Sequence, residues 1–83
     1  MIIVQPQGEL KMNNISEEKI ENLRKKYVKG SRVKLIHMDD KYAPPYGTLG
    51  TVVGVDDIGS VMVRWDNGSS LSALYGVDVI ELV

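Results

Sequence analysis

The sequence predicts a mainly β domain: a small barrel of five short strands preceded by one short α-helix. Three observations carry this. The apolar pattern is helical up to Tyr27 and alternating from Arg32 onward. Turn chemistry, above all Asp56-Asp57-Ile58-Gly59 and Asp66-Asn67-Gly68, cuts the second part into short runs. Gly47, Gly50 and Gly54 fall beside or inside one of those runs, where glycine marks the bend or bulge that a small sheet needs in order to close.

The helix is expected over residues 16–28. Ser16 is an N-cap residue, and Glu17 and Glu18 suit the positive first turn. Ile15 and Ile20 have the spacing of a hydrophobic staple, and Ile20, Leu23 and Tyr27 form one apolar stripe. Glu21 and Lys25 stand at a favourable i,i+4 spacing. Gly30 stands where a helix-ending glycine is expected. The stripe is narrow, so the helix should pack on something larger than itself.

Strands are expected over 32–38, 48–55, 60–65, 69–73 and 78–83. Val61, Val63 and Trp65 alternate with Met62 and Arg64, the pattern of a strand with one buried face. Asn67-Gly68 is a hairpin signal, because both residues tolerate positive φ. Residues 74–77 read as a single helical turn before the last strand. The longest connection, 39–47, lies between the first and second strands. A long first loop, two tight hairpins, a short turn and a final strand form the order of elements in an SH3-like barrel. Residues 1–14 read as an N-terminal arm and 15–83 as one domain, with the barrel over 31–83. Met1, Ile2, Ile3 and Val4 could form a short strand that pairs with a second copy of the chain.

Size and composition bound the function. The chain has 83 residues, and a chain of this length buries only about 60% of its unfolded surface, which leaves little room for a deep cleft. Hydrophobic residues at 43% and charged residues at 25% are ordinary for a globular domain. No apolar run nears the ~20 residues of a membrane span, and residues 1–4 lack the pattern of a secretory signal, so no membrane association and a cytoplasmic location are expected. The absence of cysteine removes disulfides, thiolate nucleophiles and zinc–thiolate sites. His37 has no second histidine to share a metal. Ser69 and Ser70 have no nucleophile elbow around them, and the chain contains no phosphate-binding glycine motif. Asp39-Asp40 and Asp56-Asp57 lack a calcium-loop pattern and read as turn residues. The expectation is a protein that is not an enzyme, with no metal site and no cofactor.

Net charge is −1, but the chain is asymmetric: residues 1–38 carry +4 and residues 39–83 carry −5. Six cations occur between positions 24 and 34 without an acid: Arg24, Lys25, Lys26, Lys29, Arg32 and Lys34. Such a stretch can meet phosphate, or simply complement the C-terminal end of a helix dipole.

The run Gly47-Thr48-x-Gly50-Thr51-Val52-Val53-x-Val55, followed by Gly59-x-Val61-x-Val63-x-Trp65-Asp66-Asn67-Gly68, resembles the Mind bomb/HERC2 type of SH3-like domain. Residues 23–83, about three quarters of the chain, more closely resemble a small bacterial and bacteriophage family known as a domain of unknown function. The shared features are Lys29-Gly30-x-Arg32-Val33, Met38-Asp39-Asp40, Ala43-Pro44-Pro45, Val55-Asp56-Asp57-Ile58-Gly59, Trp65-Asp66-Asn67-Gly68-Ser69-Ser70-Leu71 and Gly76-Val77-Asp78. Tyr46 and Tyr75 stand where such sequences often carry proline. The resemblance implies the barrel fold and a phage or prophage setting, and brings no activity with it.

The 39–47 loop places Tyr42, Pro44, Pro45 and Tyr46 within five residues, and proline stiffening holds aromatics ready for a partner. In SH3 domains the corresponding loop and the turn before the last strand build an aromatic groove for extended peptides. By that resemblance Tyr42, Tyr46 and Tyr75 converge on a protein or peptide partner, with Pro45 and Trp65 beside them. Two other expectations stand next to this one. Nucleic acid could bind through Arg24, Lys25, Lys26, Lys29, Arg32 and Lys34, with tyrosines stacking on bases. A small ligand could be sequestered by an oligomer of the chain.

Overall fold

The computed structural model describes residues 16–83. The strand and subunit contact expected of Met1, Ile2, Ile3 and Val4, and the half of the staple supplied by Ile15, lie outside the described residues. Helix α1 spans Glu17–Lys26. Ser16 is extended and its side chain accepts the Lys19 N–H at 3.1 Å, so the cap forms as the sequence predicts. Ile20 and Tyr27 are buried, and Leu23 packs against the core from its edge. The helix ends earlier than residue 28. Tyr27 has left helical geometry at ψ 72°, while its N–H still reaches the Leu23 carbonyl at 2.7 Å. Gly30 (φ +94°) is not the helix cap but part of the turn that follows. There it donates to the Val52 carbonyl at 2.8 Å and lines the chain up for the first strand.

The strands are β1 (Arg32–His37), β2 (Leu49–Val55), β3 (Ser60–Trp65), β4 (Ala73–Leu74) and β5 (Val79–Leu82). They form one antiparallel sheet in the order β4-β3-β2-β1-β5. The mainly β class, five short strands after one short helix, is the one found. Val33, Leu35, Val52, Val55, Val61, Val63 and Trp65 make up most of the core. Two pairs in that core break strict alternation. Val52 and Val55 are three residues apart, as are Leu35 and Met38, yet all four are buried. A period of two would put each pair on opposite faces of the sheet. The register shifts between Val52 and Gly54, and between Leu35 and His37, absorb the extra residue and return both partners to the inside.

Both hairpins are built the same way. Trp65 N–H donates to the Ser69 carbonyl at 2.9 Å, and Gly68 N–H to the Trp65 carbonyl at 3.0 Å. Asp56 N–H donates to the Ser60 carbonyl at 3.0 Å, and Gly59 N–H to the Asp56 carbonyl at 3.2 Å. Only Gly68 (φ +96°) and Gly59 (φ +87°) are left-handed. The Asp66-Asn67-Gly68 turn falls between the strands as expected, although Asn67 does not take the positive φ it tolerates. It is a three-residue loop, a type I turn closed by a left-handed glycine. Residues 69–72 do not continue as strand. The Leu71 carbonyl accepts the Trp65 indole N–H at 2.9 Å, and β4 is left two residues long. The 74–77 turn is also not helical, because Gly76 has φ +82°.

Trp65 is paired across the sheet with Gly50. A Cβ at Gly50 would lie 2.7 Å from Trp65 Cε3 and 2.6 Å from Val63 Cγ1. Neither atom can give way cheaply in a close-packed interior. Gly50→Ala is accordingly expected to cost about 1–3 kcal/mol in urea unfolding. Gly54→Ala, whose Cβ would meet only the flexible Met62 Cε at 3.4 Å, should cost clearly less.

Candidate functional site

The loop from Asp39 to Gly47 is held at three points. Asp40 Oδ1 accepts the Tyr42 N–H at 2.7 Å, and its carbonyl accepts the Ala43 N–H at 3.0 Å. Ala43 packs on the core and Pro44 is buried. Gly47 N–H then donates to the Leu35 carbonyl at 2.8 Å. Between these anchors the polypeptide turns at Pro45-Tyr46-Gly47-Thr48. Thr48 N–H and Oγ1 both donate to the Pro45 carbonyl, at 3.1 and 2.6 Å. Gly47 takes φ +86°, as the third position of a type II turn requires. Tyr46 is the corner residue, 72% exposed, and Tyr42 is 73% exposed with Lys41 Nζ 5.1 Å from its ring centre. Pro45 is exposed beside them.

Tyr75 repeats the arrangement. In Leu74-Tyr75-Gly76-Val77 the Val77 N–H donates to the Leu74 carbonyl at 3.2 Å, and the left-handed glycine again follows the tyrosine. The hydroxyl of Tyr75 accepts from Lys19 Nζ at 3.3 Å, and the same ammonium sits 5.5 Å from the ring centre. Its contact is thus with the helix rather than with Tyr42 or Tyr46. The loop and the turn are joined through Asp78. One carboxylate oxygen accepts the Asp39 N–H and the other the Leu74 N–H, both at 2.8 Å. Asp78 thereby ties the end of β1 to β4 across the seam between the two edge strands.

Trp65 does not stand beside the tyrosines at the surface. It is 1% exposed and plugs the core, so it offers no face to a partner. The basic stretch also dissolves as a continuous surface. Arg24 donates to the Val55 carbonyl and pairs with Asp57 at 3.1 Å. Arg32 grips Asp66 through two hydrogen bonds of 3.0 and 2.6 Å and reaches Thr51 Oγ1 at 2.8 Å. Lys34 lies 3.9 Å from Glu81. Lys25, Lys26 and Lys29 have no carboxylate within ion-pair distance among the described residues. Asp56 Oδ1 caps its own hairpin, accepting from Ile58 and Ser60 N–H groups, which is the turn role expected of it.

A groove of about 320 Å³ escapes sequence reasoning. It runs between α1 and the seam, with Leu23 and Tyr27 on one side and Leu74, Tyr75, Val79 and Ile80 on the other. The spacing of Lys19, Leu23, Lys26 and Tyr27 marks one helix face. Nothing local in the sequence says that the seam lies under it.

Five antiparallel strands and one helix, with tyrosines at the turn corners, define a small mainly β domain. The chain belongs to the family described as Domain of unknown function (DUF4314), whose model matches residues 16–83 and so takes in all of α1. No curated protein matches the chain.

The Arg32–Asp66 pair gives a prediction about acid. The hydrogen bond from Arg32 holds the Asp66 carboxyl below the ordinary aspartate value, and raises that of Arg32 in turn. A carboxyl lowered in the folded state contributes stability that is full above its unfolded pKa and lost as pH falls through the folded one. A carbon-detected NMR titration should find the Asp66 midpoint below that of a model aspartate, about 3.9. A midpoint at or above that value would remove the pair as a stabilising contact, and Asp66→Asn should blunt the loss of stability below that pH.

Proposed function

We propose that this domain is a non-catalytic binding module that takes a protein or peptide against its exposed turn tyrosines. The observation that carries the reading is the pair Tyr42 and Tyr46, both nearly three-quarters exposed on a loop whose backbone is fixed by Asp40, Gly47 and Thr48. Large rings in water gain free energy when a partner covers them, and a fixed loop spares the ordering cost of binding. Tyrosine is favoured at such contacts because the ring is apolar and the hydroxyl stays wet. Pro45 extends the same surface, while Tyr75, in the turn before β5, stands apart against Lys19 of the helix. The reading calls for no cofactor, and for a protein partner met in the cytoplasm. Nucleic acid is the second reading, supported by Lys25, Lys26 and Lys29. It is weakened because Arg24, Arg32 and Lys34 are already matched with acids of this chain.

The test is affinity capture from nuclease-treated lysate of the source cell, with wild type beside Tyr42→Ala/Tyr46→Ala. Both rings are exposed, so the variant should keep the thermal midpoint of the wild type. Wild type is expected to retain a defined protein that the variant loses. Equal retention by the folded variant would overturn the tyrosine surface. A mobility shift of nucleic acid at low salt, abolished by Lys25→Glu/Lys26→Glu/Lys29→Glu, would replace the reading with the second one.

A further inference from the structure

We propose that the groove between α1 and the β4–β5 seam docks a short peptide segment of a partner protein, one that sets apolar side chains between acidic ones. This rests on the binding-module reading and names the partner's chemistry. The floor is apolar and partly open to water: Leu74 and Val79 are 44% and 50% exposed, and Leu23, Tyr27 and Ile80 continue the surface inward. An apolar side chain laid there would cover area that the fold leaves wet.

The charge on the rim selects the flanks. Helix α1 is split lengthwise. Glu17, Glu18 and Glu21 line the opposite side with Arg24 and Asp57. Lys26 lines the groove, and Lys19 stands over Tyr75 at its edge. Lys19 has a neutral phenol as its partner, and Lys26 sits 5.2 Å from the Tyr27 ring centre. Neither ammonium is neutralised by a carboxylate among the described residues. The one acid in the groove is Asp78, and both of its oxygens are occupied by backbone N–H groups. The groove therefore presents two cations that touch no carboxylate, against the single charge of Asp78 that backbone N–H groups hold, above an apolar floor.

The edge of β5 favours an extended peptide over a small molecule. β5 pairs only with β1 and so leaves one ladder edge unpaired among the described residues, whereas the outer edge of β4 is taken, the Leu74 N–H by Asp78 and its carbonyl by the Val77 and Asp78 N–H groups. An extended segment can add main-chain hydrogen bonds at such an edge while its alternate side chains enter the groove.

The test is an amide NMR titration with synthetic peptides about ten residues long, enough to span a strand and its flanks. One pool carries acidic flanks around two positions randomised among Leu, Ile, Val, Phe and Tyr. A second pool carries lysine flanks, and a third keeps the acids but has serine at the randomised positions. The acidic–apolar pool alone is expected to shift Leu23, Lys26, Leu74, Gly76 and Val79. Lys19→Glu/Lys26→Glu, both exposed and so compatible with folding, should weaken that binding about tenfold. Silence of the groove at millimolar peptide, or binding that the charge reversal leaves unchanged, would overturn the inference. If the acidic–apolar pool shifts only Tyr42 and Tyr46, the groove is excluded while the tyrosine surface stands. If the groove responds but the Tyr42→Ala/Tyr46→Ala variant still captures the same protein from lysate, the groove stands and the tyrosine surface falls.

Discussion

The contact between the Trp65 indole and the bare backbone of Gly50 sets most of the remaining geometry. Gly50 is paired with Val33 on one side and Trp65 on the other, so the ring lies where three strands meet. A buried indole must place its N–H, and it does so on the Leu71 carbonyl. That bond draws the segment after the second hairpin over the ring and keeps it out of the sheet until Ala73. A two-residue β4 follows, and with it a sheet that ends too soon for its edges to close by a ladder. The seam is closed instead by Asp78, and α1 stands beside it across an open groove. The groove is thus a downstream result of where one tryptophan sits.

The uneven distribution of charge along the chain has an internal explanation. Among the described residues, each of the three ion pairs joins a cation from the first half to an acid from the second: Arg24 to Asp57, Arg32 to Asp66 and Lys34 to Glu81. Opposite signs on the two halves favour the native pairing of the helix and β1 with the hairpins and β5. Exposed pairs of this kind add little to stability and more to the choice of partner segment. Among the described residues, Lys19, Lys25, Lys26, Lys29, Lys41 and Arg64 lie outside these pairs.

Much of the architecture was legible in advance, because it rests on local chemistry. Ser16 with its following glutamates, Asp56 through Gly59, Asp66 through Gly68 and the Val61-Val63-Trp65 alternation each act over a few residues. The misjudged features share a different origin. The end of the helix and the late start of the strand expected at 69–73 were both decided by what packs on the core. The two core pairs spaced by three need bulges that only the partner strand defines. The candidate site divides in the same manner. The exposure of Tyr42 and Tyr46 follows from turn geometry near them in sequence. The burial of Trp65 depends on Gly50 in a neighbouring strand, and the pairing of Arg24 and Arg32 with acids and the meeting of Lys19 with Tyr75 depend on residues more than thirty positions away.

Tyr46 and Tyr75 occupy equivalent corners, each followed by a left-handed glycine and each bridged by a backbone bond from the residue beyond it. The second position of a type II turn suits proline, whose ring presets φ and reduces the freedom of the unfolded chain. It also tolerates almost any other side chain, because that side chain projects into solvent. The two corners therefore behave as interchangeable sockets. What they display can be exchanged without disturbing the sheet, and a tyrosine there forgoes some rigidity in return for an exposed ring. Under the binding-module reading, a domain with such sockets can change its partner while keeping its core.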